Sequence, residues 1–298
     1  MATTNTNNQS YQGEAGTIVR AAVQEAETIK KGLVSFAPNV KYKFNIPSLS
    51  DDGGFVNAAC GWSPSGTITL DNNAVTIKRI MKQREVCKET FISAHNDFDD
   101  ILEAIMEEQM ERASEKFDKD IWVGVVGTTG DFGGLVPLFV ADSNVIKAND
   151  GIVPSGNAVT SSTVLAELAK AVAATPKAIR SKNDFKIVVS SNVALAYEQL
   201  LITNGVTYLA DGGEKGMKYG KHMIQEVAHL ADNTIITYQA ANVWACTDSK
   251  NPENEVSAVD TDTTLLDGNV RTKVAFGGGA GYAHPEEIVY YVSTVTPA

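Results

Sequence analysis

The chain has 298 residues, of which 43% are hydrophobic and 20% are charged, so it carries enough apolar material for one large core or two smaller ones. Its 36 acidic residues outnumber its 25 Lys and Arg, and the net charge of -11 argues against a surface built to neutralise nucleic-acid phosphates. The three cysteines match no disulfide, metal or redox pattern, and no segment resembles a signal peptide or a membrane span. We therefore expect a globular protein of a reducing cytoplasm, with no membrane partner.

The N-terminal part begins with a polar segment, residues 1–13, which offers little to bury and which we expect to be disordered. Apolar residues at helical spacing predict a short helix over 17–31, and Gly32 follows it as a helix stop. Alternating apolar residues predict strands at 42–46 and 67–80, which flank a long loop. A loop of that length favours an extended two-stranded arm that reaches a partner, with a disordered surface loop as the alternative.

The longest predicted element is a helix over 97–122, with one apolar stripe and a length of roughly 37 Å. Its opposite face is predominantly acidic, and we interpret that face as solvated and without unusual pKa values. Two pairs are spaced for helical ion pairs, Glu108 with Arg112 and Glu115 with Lys119.

A Gly-rich link over 124–134 follows the long helix, and the apolar run 135–140 predicts a short strand or turn. An α/β unit comes next, with a helix over 163–174, a buried strand over 186–190, and a helix from its cap Asn192 to Asn204. Further strands are predicted at 222–228, 234–238, 243–246, 270–276 and 288–292.

The sequence contains no group of residues that is typical of a catalytic, cofactor or metal site. The GGGAG run at 277–281 lacks the glycine spacing of a dinucleotide loop, and we expect a bend between strands there. Asp260, Asp262 and Asp267 lack the glycine of a calcium loop, and we interpret them as an acidic turn. The four histidines have no zinc-protease spacing and are expected on the surface or at caps. We predict no catalytic, cofactor or metal site, and so no enzyme.

The order of these parts resembles the major capsid protein of tailed bacteriophages. The local sequence also resembles the family in two segments, TSSTVLAELAKAVAATPKAIRSKNDFKIVVSSNVALAYEQLL and KYGKHMIQEVAHLADNTIITYQAANVWACTD. Within these segments, Tyr197, Asp232, Asn242 and Val243 match the family's pattern. The resemblance implies an α+β fold, the Hong Kong 97 fold. Its parts would be an N-terminal arm (1–40), an E-loop (41–84), a peripheral domain with a long spine helix (85–155), an axial domain (156–242) and a return to the peripheral domain (243–298).

The same resemblance implies a structural subunit that self-assembles, as pentamers and hexamers, into an icosahedral shell around double-stranded DNA. The DNA contact would be weak and non-specific, and the location would be the virion after assembly in a bacterial host's cytoplasm. Only about 13 polar residues precede the ordered arm, so scaffolding is expected from a separate protein or is not needed, and a portal is a further expected partner. No Lys occurs over 45–77, which argues against the isopeptide cross-links that some family members form from a Lys on the E-loop.

Two other functions stay open from the sequence: an encapsulin-like nanocompartment shell, and a small-molecule α/β enzyme. The candidate interface residues are Phe55, Val56 and Trp62, which stand in the polar loop of the arm near Cys60. An extended loop has little core of its own to reach, and large aromatic residues are typical anchors of interfaces. The alternative is that Trp62 folds back as ordinary core.

Overall fold

The structure is a computed structural model that describes residues 27–51, 53, 55, 57, 60, 66–88, 98–148, 159–204, 217–248, 256–261 and 268–292. Several predictions fall outside these residues: the disordered segment at 1–13, most of the helix at 17–31, and the turn with Asp262 and Asp267.

The first half of the chain contains β1 (Ser35–Ala37), β2 (Lys43–Asp51), β3 (Ile68–Thr76), β4 (Lys78–Cys87), α1 (Phe98–Val123), α2 (Leu135–Ala141) and β5 (Ile146–Lys147). The second half contains α3 (Val164–Ala174), α4 (Lys177–Arg180), β6 (Phe185–Val189), α5 (Ser191–Thr203), β7 (Lys218–Tyr219), β8 (His222–Glu226), β9 (Thr234–Gln239), β10 (Val243–Thr247), β11 (Val256–Asp260), β12 (Asn269–Tyr282) and β13 (Val289–Val292). This mixture of helices and strands confirms the predicted α+β class.

Three sheets organise these elements. In the first, β12 pairs antiparallel with β4 along one edge and with β11 and β10 along the other, and β1 joins in parallel beside β10. The second has the order β5-β13-β9-β6-β8-β7 and packs against α3 and α5. The third is the antiparallel ribbon of β2 and β3, which confirms that two paired strands flank the predicted loop. The predicted strand over 67–80 is divided, because residues 78–80 belong to β4 of the first sheet.

The buried apolar residues form three clusters, the first of which extends from α1 and the first sheet into the second sheet. The first surrounds the end of α1 and includes Trp122 and Phe139. The second lies between the second sheet and its helices, around Leu168 and Ile235. The third is small and lies at the base of the ribbon, around Val75. The chain therefore has two main lobes, with a ribbon anchored on one of them.

The start of the described region is a helical turn that ends at Gly32. The backbone N–H of Leu33 donates to Thr28 O, and that of Gly32 donates to Ile29 O, each at 3.0 Å. Gly32 has a φ of 59°, the left-handed conformation that this Schellman arrangement requires and that glycine adopts without strain. Gly32 as a helix stop is confirmed.

The long helix is also confirmed. Helix α1 has 26 residues, which at 1.5 Å per residue gives about 39 Å. Its apolar stripe packs on β12, where the Phe117 ring lies 5.5 Å from Phe132 and 5.9 Å from Phe276 between ring centroids. The sequence predicted this element well because a 3.6-residue period repeated over seven turns is a strong signal.

The glycine run 277–281 lies inside β12, so the predicted bend is wrong. A Cβ on Gly278 would lie 2.4 Å from the Phe132 ring, and one on Gly281 would lie 2.5 Å from the Val75 side chain. Atoms of a folded core do not approach that closely, so a side chain at either position would displace its neighbour. The glycines allow other parts of the chain to pack directly on the strand.

Residues Leu135–Ala141 form helix α2 and not the predicted strand or turn. Pro137 is the third residue of this helix, in the first turn, where its missing N–H would have had no intrahelical acceptor. Leu135 and Phe139 are both fully buried and stand one helical turn apart. A run of seven almost entirely apolar residues fits a helical period and an alternating period equally well, so the sequence does not distinguish a helix from a strand here.

Helix α5 begins one residue before its predicted cap. Ser190 holds the cap position, and Asn192 bonds elsewhere. The Asn192 side chain accepts from the Asn233 backbone N–H at 2.9 Å and donates to Asn233 Oδ1 at 2.7 Å. Asn192 therefore fixes the start of β9, a role that local sequence does not reveal.

We expect Gly278→Ala to destabilise the fold by about 1–3 kcal/mol, the usual effect of overpacking a tight core. Chemical denaturation of the unassembled subunit measures this. Phe132→Leu makes room beside the new methyl group, so the double variant should be more stable than the sum of the two single changes predicts. Strictly additive changes would contradict a direct clash between these residues.

Candidate functional site

The ribbon of β2 and β3 carries an apolar face that its own chain leaves open. Leu49 and Leu70 lie directly opposite one another, so they share a face, and Ile68 lies two residues along on that same face. Leu49 and Leu70 are each 64% exposed, and Ile68 is 68% exposed. We call these three residues the hairpin patch. Apolar groups clustered in this way mark contact surfaces more often than apolar residues scattered singly.

The opposite face of the ribbon packs against the rest of the protein at the base of the ribbon. The Phe44 ring lies 5.3 Å from the Trp244 ring, and Ile46 and Val75 are buried beside the Cys246 thiol. Burial raises the pKa of Cys246 to about 12, so this thiol is protonated at neutral pH and acts as a packing group. The structure thus combines an anchored base with an open outer half.

The predicted interface residues lie between these strands. The Phe55 side chain is fully exposed. Val56 and Trp62 lie outside the described residues, so their role stays a prediction. Sequence reasoning missed Leu49, Ile68 and Leu70 as surface residues. Their alternation predicted strands, but alternation alone does not say which face is covered.

A buried joint holds the N-terminal turn, the end of α1 and the second lobe together. Thr28, which is 1% exposed, donates its backbone N–H to Asp118 Oδ1 at 3.1 Å and accepts the Trp122 indole N–H at 2.8 Å. On the other side, the Tyr238 hydroxyl donates to Leu33 O at 3.0 Å. Because these polar groups are buried, each bond that is lost leaves a desolvated partner. The joint therefore adds directional contacts to the apolar packing between the two lobes.

The acidic face of α1 is not wholly solvated, which corrects the sequence-based interpretation. Asp118 and Asp120 are 5% and 1% exposed. The Lys116 ammonium bonds to Asp120 Oδ1 at 2.7 Å and also to Asp131 in the Gly-rich link. Desolvation raises the pKa of Asp120, whereas the bond to Lys116 lowers the pKa of Asp131. The contacts of Lys116 and the burial of Asp120 therefore shift the pKa of Asp120 and of Asp131 in opposite directions.

Of the two predicted ion pairs on α1, one is present, and in the other Glu115 lies beside a different partner. Glu108 pairs with Arg112 at 3.8 Å, as expected from their spacing. Glu115, which was predicted to pair with Lys119, lies 3.3 Å from Arg112. Arg112 is thus shared between two glutamates on the same helix face, and such partly exposed pairs contribute little to stability.

The histidines that the structure describes lie in separate places. His222 packs edge-on against Phe185, and burial lowers its pKa. His229 is nearly buried beside Asp118, and His284 lies 3.4 Å from Glu286. Within the described residues no three His, Cys, Asp or Glu side chains come together as a metal site, and no helix is long and apolar enough to span a membrane.

The architecture is that of solved phage capsids. A capsid of an empty GTA particle, computed with C5 symmetry, gives a TM-score of 0.63 at 11% identity and covers 96% of both chains. Gordonia phage Cozz gives 0.62 at 12% identity, covering 96% of this chain and 93% of that one. The capsid of cyanophage P-SCSP1u gives 0.57 at 13%, covering 97% and 93%. No protein-family model and no curated protein matches the sequence.

These likenesses extend over nearly the full length of each chain and so define the class of fold. The protein has the Hong Kong 97 fold of tailed-phage capsid proteins, which confirms the fold expected from the order of parts in the sequence.

We expect Lys116→Met to destabilise the subunit by about 2 kcal/mol, less than the roughly 3–5 kcal/mol for breaking a fully buried pair, because Lys116 is about one-third exposed. The exposed change Lys119→Met should stay within about 0.5 kcal/mol. The pKa of Asp120 is raised, so protonation stabilises the folded form and the penalty of Lys116→Met should shrink as the pH falls. Denaturation at several pH values measures this, and a penalty that grows at low pH would contradict it.

Proposed function

We propose that the chain is the major capsid protein of a tailed phage, whose copies assemble into a closed icosahedral shell. The observation that carries the proposal is the hairpin patch, an exposed apolar face on a ribbon that the described residues anchor at its base. The full-length likeness to capsid chains supports it.

The hairpin patch suits repeated contacts between copies. Burying one Leu or Ile side chain contributes about 1.5–3 kcal/mol, so three such residues supply a useful contact even after losses from ordering. A ribbon of one copy that binds a different surface on its neighbour makes a head-to-tail contact, and such contacts generate closed rings. Phe55, and the predicted Val56 and Trp62, would extend the same contact surface.

The proposed partners are other copies of the chain, in pentamers and hexamers. We propose that the shell encloses double-stranded DNA, which a lining of net negative charge would hold only weakly. A portal and a separate scaffolding protein would complete the assembly, in the cytoplasm of a bacterial host, with the finished shell in the virion. The proposed role is structural and involves no catalysis.

Electron microscopy of the purified protein tests this proposal directly. Uniform shells of tens of nanometres or their ring-shaped precursors are the expected result. A monomer that never assembles, alone or with the other products of its genome, would contradict it. Analysis of the contents then separates two kinds of shell, because DNA supports a capsid whereas a copurified enzyme indicates a nanocompartment.

We expect Leu49→Ser combined with Leu70→Ser to abolish shells while the melting temperature of the unassembled subunit stays nearly unchanged. Both side chains are already mostly in solvent within the subunit, so little folding free energy depends on them. Light scattering reports assembly, and calorimetry reports subunit stability.

The matched control is Leu49→Met with Leu70→Met, which keeps the apolar area and should assemble. The change Phe55→Ser with Trp62→Ser tests the predicted tip residues in the same way. Normal assembly of the Ser variants, or a loss of several degrees in the subunit's melting temperature, would show that the ribbon is not the contact between copies.

A further inference from the structure

A cleft of about 920 Å³ lies where α1 crosses the first sheet, and β4, β11 and β12 line it together with α1. A second cleft of about 430 Å³ adjoins it further along α1, and the two share Lys82 and Gln109. We call the two together the spine cleft. Its lining includes apolar side chains, among them Val86, Ile105 and Val259. This is enough room for several residues of an extended peptide.

The lining of the spine cleft holds more basic than acidic side chains, seven Lys or Arg beside Glu85, Glu108 and Glu115, although the net charge of the protein is -11. Lys82 and Arg84 of β4 lie on the face of the first sheet that α1 covers, because Arg84 is opposite Thr272, the hydrogen-bond partner of Gln109. Burial lowers the pKa of Lys82, the positive charges of Arg84 and Arg112 lower it further, and Glu108 acts in the opposite direction. A carboxylate that entered the cleft would relieve this repulsion between like charges.

Gln109 provides a second and independent feature. It is 5% exposed, and its Nε2 donates to Thr272 Oγ1 at 2.8 Å. Its Oε1 is buried and has no hydrogen-bond partner among the described residues. Buried acceptors are almost always paired, so this oxygen calls for an incoming N–H or O–H group. Gln109 lines both parts of the cleft.

The two features together discriminate between occupants. A nucleic-acid backbone satisfies the basic side chains, but its phosphates carry no donor for Gln109 Oε1. A peptide supplies carboxylates for the basic side chains, backbone N–H groups for the amide and apolar side chains for Val86 and Ile105. The hairpin patch of a second copy fits less well, because its Leu49, Ile68 and Leu70 side chains supply no carboxylate for the basic side chains.

We propose that the spine cleft is a docking site for an extended acidic segment of a separate protein. Carboxylates of that segment would bind Lys82 and Arg84, and one of its backbone N–H groups would donate to Gln109. The site is separate from the hairpin patch and does not depend on the proposed assembly.

Fluorescence anisotropy with the full-length, unassembled subunit tests this docking site. The probe is a labelled peptide of about twelve residues that alternates Asp and Val, beside a Lys-Val peptide of equal length and a short DNA duplex. The acidic peptide should bind at low salt and the Lys-Val peptide should not. Arg84→Glu should weaken binding at least about tenfold, since it replaces attraction with repulsion. Lys221→Glu, an exposed charge outside the cleft, should leave it within about twofold.

Gln109→Met tests the contribution of the amide separately from that of the charged side chains, because it removes the hydrogen-bond acceptor and leaves every charge in the cleft unchanged. It should weaken the acidic peptide several-fold and leave any DNA binding unchanged. DNA that binds more tightly than the acidic peptide and is lost in Arg84→Glu would overturn the proposal in favour of a nucleic-acid surface. Equal binding by all variants, or no peptide binding, would also overturn it. So would Arg84→Glu subunits that bind no peptide and form no shells, because a second copy would then occupy the cleft.

Discussion

The close approach of neighbouring parts to the glycine strand is the constraint on which the rest of the structure depends. Strand β12 pairs with three strands, lies beneath α1 and supports the ribbon, and five consecutive positions without bulky side chains make this possible. Gly278 admits the Phe132 ring, and Gly281 admits Val75 at the ribbon base. A side chain at either position would push apart elements that the strand joins. The ribbon can stand open at its outer half because its base is packed so tightly here.

The second lobe is attached by buried hydrogen bonds as well as by packing. At the joint, directional hydrogen bonds through Thr28, Asp118 and Tyr238 connect three separate stretches of chain. The first apolar cluster also crosses the junction, because it joins Trp122 of α1 to Ile236 and Tyr238 of the second sheet. A buried hydrogen bond fixes distance and angle together, so it adds a directional constraint to this packing.

The spacing of apolar residues predicted the elements whose own sequence is periodic, namely α1, the ribbon strands and the β6 to α5 unit. The prediction failed where the structure depends on contacts between residues that are distant in sequence. The run 277–281 looks like a bend until Phe132 and Val75 are seen against it, and Asp120 looks solvated until Lys116 and Asp131 enclose it. The sequence predicted the strands that carry the hairpin patch but not its exposure, because alternation shows that a strand has two faces and not which face the rest of the chain covers. Contacts distant in sequence leave no local pattern.

Identity of 11–13% to capsid chains of the same fold follows from this distribution of constraints. A fold of this kind depends on shapes: an anchored ribbon, a long helix on a sheet, and two lobes in fixed contact. Each shape can be built from many sequences, provided that hydrophobic patterning and volume are kept. The likeness to these capsid chains therefore extends over the whole architecture while few residues coincide.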